Sequence, residues 1–76
     1  MRTVEKGAKY KHFKGNLYKV IEIAKNTETN EMMVVYQALY GDYGIFVRPL
    51  VMFLSKVDKE KYPDSNQEYR YEKVED

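Results

Sequence analysis

Apolar and polar positions alternate in short runs through most of this chain, and no long stretch carries the i, i+3, i+4 stripe of a surface helix. The pattern predicts a mostly β protein. Lys9-Tyr10-Lys11-His12-Phe13 sets charge and ring at alternate positions and stops at Lys14-Gly15-Asn16, where glycine takes a positive φ at no steric cost. A first strand and turn are expected there. In residues 17–24, Tyr18, Val20 and Ala24 share one parity and Leu17, Ile21 and Ile23 the other, with Lys19 and Glu22 interrupting each set. Both faces of this second strand are therefore partly covered. Residues 25–31 are rich in side chains that hydrogen-bond their own backbone in turns, and residues 32–39 resume as an apolar strand, which makes a hairpin.

Tyr40-Gly41-Asp42-Tyr43-Gly44 reads as the next turn, followed by a short strand at 45–48 that Pro49, lacking an N–H, must end or leave at a sheet edge. Residues 49–53 are too short and too apolar for a surface helix, so a 3-10-like turn is expected to plug one end of the core, with Leu50 and Phe53 eclipsed. A charged loop at 56–67, broken by Tyr62-Pro63-Asp64, leads to a closing strand at 68–72. The domain then spans 9–73, with an N-terminal arm at 1–8 and a frayed tail at 74–76.

Five short strands with tight turns are too few for two packed sheets, but they can curl into one small barrel. The expected fold is a mainly β, single-domain SH3-like barrel of about five strands with a 3-10 turn. The rival five-stranded OB barrel normally carries a helix between its third and fourth strands, and residues 39–45 leave no room for one. Length agrees, since 76 residues cannot build a second core. With 43% apolar and 33% charged residues the composition is neither disordered nor membrane-like, and no apolar run exceeds the five residues 50–54. The charged N-terminal sequence lacks a secretory apolar region and cysteine is absent, so a cytoplasmic location without membrane association is the expectation.

Three segments carry a resemblance: H-F-K-G-N-x-Y at residues 12–18, V-Y-x-A-L-Y-G-D at 35–42 and V-R-P-L-x-M-F at 47–53. Together they are similar to the bacterial domain-of-unknown-function family sixteen-fifty-three, from about Tyr10 to Val57, with Glu68-Tyr69-Arg70-Tyr71 matching its closing Arg-aromatic strand less closely. The resemblance implies an SH3-like barrel and no transferable activity. This chain has Phe46 where the family often has Trp, and Asn26, Thr27 and Asn30 where it favours His, Ser and Gly. Asn30 can take the left-handed conformation that glycine would have taken.

Candidate chemistry is sparse. One histidine and no cysteine exclude a structural zinc site, and Glu28, Glu31 and Asp42 do not fall in a calcium-loop register, so no metal or cofactor is expected. Ser55, Ser65 and the three threonines have only His12 as a possible base and no elbow around any of them, which argues against an enzyme. His12, within an alternating strand, reads as a half-buried imidazole bonded to nearby backbone. Gly41-Asp42-Tyr43-Gly44 lacks the spacing and following helix of a phosphate loop and reads as a turn.

Arg48 faces outward if Val47 faces the core, and it could then hold Asp42, Glu31 or a partner's carboxylate. The eight tyrosines are the main hint, because they exceed what a small core can hold with every hydroxyl satisfied. SH3-like barrels use such rings as platforms for proline-rich peptides or as cages for methylated ammonium groups. Tyr36, Tyr40, Asp42, Tyr43, Phe46 and Arg48 are accordingly expected to border a binding face for an unidentified peptide or partner protein, on a monomer or weak homo-oligomer. The alternative is a nucleic-acid accessory domain using the basic aromatic segment from Lys9 to Lys19, which the net charge of +1 disfavours.

Overall fold

Turn chemistry sets the strand boundaries of this molecule, seen here in a computed structural model that describes residues 3–74. β1 (Lys9–His12) and β2 (Leu17–Lys25) are joined where Gly15 adopts a φ of 107° and His12 N–H donates to Asn16 O at 2.8 Å. The turn between β2 and β3 (Met32–Ala38) is closed by Asn26 N–H to Glu31 O at 2.8 Å, with Asn30 left-handed at φ 64°. Asn30 thus does the conformational work expected of it. β4 (Ile45–Pro49) runs straight into a one-turn helix, α1 (Leu50–Phe53), and β5 (Tyr71–Lys73) closes the chain.

All neighbouring strands are antiparallel and form one five-stranded sheet in the order β4-β3-β2-β1-β5, a small barrel-like fold. The mixed parity of β2 has a local cause: the register shifts between Val20, opposite Tyr36, and Glu22, opposite Val35. Ile21 is the extra residue of a β-bulge and is left exposed. Before it Val20 is the buried position, and after it the half-buried Ile23 lies opposite the buried Val34. A bulge swaps the faces of a strand once, which is why apolar residues occur on both parities.

The expected 3-10 turn is instead α-helical, closed by Leu54 N–H to Leu50 O at 3.0 Å, and only its end adopts a 3-10-type bond, Ser55 N–H to Met52 O at 3.2 Å. Helical winding separates Leu50 and Phe53 rather than eclipsing them, so Phe53 is fully buried while Val51 and Met52 face solvent. The closing strand is displaced toward the C-terminus, because Tyr69 makes only an isolated bridge with Lys56. Of the expected N-terminal arm, residues 1–2 lie outside the described residues, and residues 4–8 are held against the domain. Gly7 N–H donates to Val20 O at 2.8 Å, Glu5 N–H donates to Tyr10 Oη at 2.9 Å, and Val4 and Ala8 pack on the core. Of the expected tail, Val74 bonds Lys9 O and residues 75–76 lie outside the described residues.

The core is built largely from aromatic rings. Phe53 stacks on Tyr71 with centroids 4.1 Å apart and meets Tyr10 and Tyr36 edge-on, while Val20 and Val34 fill the sheet behind them. Tyrosine is tolerated because its oxygen finds a partner: Tyr10 accepts from Glu5, Tyr36 accepts from Arg48 Nε at 3.3 Å, and no buried side-chain N or O among the described residues lacks a hydrogen bond. Among those residues no helix is long and apolar enough to cross a membrane.

Candidate functional site

The six residues expected at one binding face are divided by the sheet. Tyr36 is 5% exposed and belongs to the core, whereas Tyr40 (43%), Tyr43 (55%) and Phe46 (49%) reach solvent. Tyr40 and Asp42 lie in the β3–β4 turn with Tyr43, which takes a φ of 56°; Gln37 Nε2 donates to Tyr43 O at 3.0 Å and anchors it. Tyr40 Oη is 2.7 Å from Tyr18 Oη. Burial first, then that hydrogen bond, pushes the Tyr18 phenol up to about 12. The Phe46 ring folds back over Gly44, 3.1 Å from where a Cβ would stand, so glycine leaves room for it.

Arg48 points the other way from the expectation. The register sets Arg48 opposite the buried Val34 and Phe46 opposite Tyr36, so these two share the inner face, and Val47 turns outward. The Arg48 guanidinium lies 5.7 Å from the centre of the Tyr71 ring and donates to Tyr36 Oη, and among the described residues no ion pair joins it to Asp42 or Glu31.

β4 is also an edge. Ala38 N–H donates to Gly44 O at 2.9 Å, and the alternation of an antiparallel ladder then turns the backbones of Phe46 and Arg48 toward β3 and those of Ile45 and Val47 away from the sheet. The side chains of Ile45 and Val47 are exposed on the outer face. With Arg48 turned inward, nothing on this strand supplies the outward lysine or glutamate that ordinarily guards a free edge. The opposite edge, β5, carries Glu72 and Lys73.

Arg48 reaches instead into a cavity of about 320 Å³ at the end of β1, which it lines together with His12, Lys14, Asp58, Lys61 and Arg70. Backbone bonds fix the geometry: Phe13 N–H donates to Arg70 O at 2.9 Å, Arg70 N–H to Ser55 O at 2.9 Å, and Tyr62 N–H to Asp58 O at 2.8 Å. Phe13 and Tyr62 meet edge to face at 4.8 Å and form an aromatic wall. His12 Nδ1 accepts from Lys14 N–H at 3.1 Å, which leaves the proton of the neutral ring on Nε2. Burial, then the charges of Arg48, Lys14 and Arg70, holds the His12 imidazolium below its usual 6.5.

His12 is the half-buried, backbone-bonded imidazole that its sequence position suggests. Asp58, Lys61, Tyr62 and Arg70 were not singled out by sequence reasoning, and Lys14 entered it only within the basic segment from Lys9 to Lys19. The available signal was that Lys14, Arg48 and Arg70 each sit in a different one of the segments carrying the family resemblance. In the basic segment from Lys9 to Lys19 the lysines face solvent, but Tyr10 is buried and Phe13 is held against Tyr62.

Comparison with known proteins finds relatives of the chain as a whole. A family model described as protein of unknown function (DUF1653) matches residues 8–73. The chain is similar to a crystal structure of a DUF1653 protein from Bordetella bronchiseptica, with 29% sequence identity and a TM-score of 0.75 over 92% of this chain and 87% of that one. No curated protein matches it.

Proposed function

We propose that this chain, which belongs to the DUF1653 family, is a non-catalytic interaction module of a bacterial cytoplasmic protein that docks an extended segment of a partner protein along β4. The observation that carries this reading is the edge ahead of Pro49: that proline has no N–H and limits the free edge to Ile45 and Val47, which offer backbone groups pointing away from the sheet beside exposed apolar side chains. An added strand satisfies those groups and covers those side chains at once. Tyr40, Tyr43 and Phe46 extend the apolar surface at the entrance of the strand, while Tyr36 supports it from beneath and Asp42 supplies a carboxylate at its rim. The strand order and the short helix ahead of the last strand support an SH3-like barrel as the scaffold. The bacterial assignment draws on the Bordetella relative.

Affinity purification of the tagged protein from its own host, with and without nuclease, tests this. A nuclease-resistant protein partner retained by wild type and lost with Val47→Lys is expected. Equal retention by both forms would contradict docking on β4. Retention abolished by nuclease would favour instead the nucleic-acid surface from Lys9 to Lys19.

A further inference from the structure

The geometry points to a second site: the cavity at the end of β1 is a receptor for a phosphate-type oxyanion, free or carried as a small phosphate monoester. Four permanent cations line it, Lys14, Arg48, Lys61 and Arg70, against the single carboxylate of Asp58. Among the described residues none of the four is ion-paired with a carboxylate. Asp58 is itself occupied, its Oδ1 accepting from Glu60 N–H at 3.0 Å as the cap of its own turn. Four positive charges facing one carboxylate leave an excess of like charge that repels itself, and a bound dianion converts that repulsion into attraction.

The donors differ in kind, as oxyanion recognition requires. Arg48 and Arg70 offer planar forks suited to two oxygens of one group. Lys14 and Lys61 add mobile point charges near the Tyr62 ring, at 5.4 and 5.6 Å from its centre. His12 keeps an Nε2–H donor, because its Nδ1 is already engaged. At about 320 Å³ the space exceeds a bare phosphate, and the wall of Phe13 and Tyr62 offers apolar contact to an organic substituent. This site is independent of the β4 edge, so either proposal can fail alone.

Amide and His12 ring resonances of the intact protein, followed by NMR while inorganic phosphate or phenyl phosphate is added at constant ionic strength, test the assignment. Saturable shifts at His12, Phe13, Lys14 and Arg70 are expected, together with a rise of about one unit in the His12 pKa, as an opposite charge at close range produces. The charged and titratable groups around that ring are Arg48, Lys14 and Arg70, the phenol rings of Tyr18 and Tyr71 packed edge-on against it, and, lining the same cavity, Lys61 and Asp58. Arg70→Gln and Lys61→Gln should each weaken binding at least five-fold, and Lys19→Gln, on the exposed face of β2, should leave it unchanged. Arg70 is held by its backbone, so its side chain is removable without loss of the fold, which an unchanged amide spectrum verifies. Tighter binding of phenyl phosphate than of inorganic phosphate identifies a monoester ligand, and equal binding the free ion. Unsaturable shifts, equal shifts with acetate, or no response to Arg70→Gln would overturn the proposal.

Discussion

His12 has a pKa below 6.5 in the folded chain, so between the folded and unfolded values the unfolded chain binds more protons. The contribution of this residue to stability is therefore complete above 6.5 and is lost as pH falls through the lower folded value. Urea melts from pH 7.5 down to pH 5 should show falling stability for wild type and a flatter profile for His12→Asn, whose amide oxygen still accepts from Lys14 N–H. Tyr18 has the opposite sense: its phenol is raised from 10.0 to about 12, first by burial and then by Tyr40, so its contribution is intact below 10 and disappears as pH rises through 12. Burial, then Tyr36, also raises the Tyr71 phenol, so ultraviolet titration of phenolate should show two tyrosines ionising late, and Tyr40→Phe should move only the Tyr18 step toward the ordinary range.

Each element owes its position to a few residues. Phe53 reaches the core only because α1 winds as an α-turn, and it touches Tyr10, Tyr36 and Tyr71. Phe53→Ala should cost about 3–5 kcal/mol, as large-to-small core changes do. A domain this small rarely holds more than about 3–5 kcal/mol in total, so denaturation curves should show the variant largely unfolded. Asn30→Ala should cost about 1 kcal/mol through the left-handed backbone it must adopt, and Asn30→Gly should cost nothing. The strands were legible because alternation and the Gly15, Asn30 and Gly41 turns are local signals. The bulge at Ile21 was not, because a single extra residue looks in the sequence like a strand covered on both faces. The α-turn was not either, since four residues hold too little periodicity to separate 3.0 from 3.6 residues per turn.

At the scale of the whole molecule, a net charge of +1 conceals a division of labour. One end gathers Lys14, Arg48, Lys61 and Arg70 around a cavity, and one edge of the sheet is left apolar and without a guarding charge. The exposed tyrosine face was half legible: Tyr40, Tyr43 and Phe46 do reach solvent, whereas Tyr36 is drawn into the core by its register with Val20 and Phe46. The basic cavity was hidden because its members come from the β1 turn, β4, the 58–62 loop and the approach to β5, and only folding unites them. The orientation of Arg48 was hidden for the same reason, because cross-strand register rather than its neighbours in sequence decides which face it takes.

Hydrogen exchange along β4 is the most direct test of the docking proposal. In the isolated protein, Phe46 and Arg48 amides should be protected and Ile45 and Val47 amides should exchange freely. In the complex recovered from the host, Ile45 and Val47 should become protected as well. Protection of all four amides in the isolated chain, or no change at Ile45 and Val47 in the complex, would contradict the account.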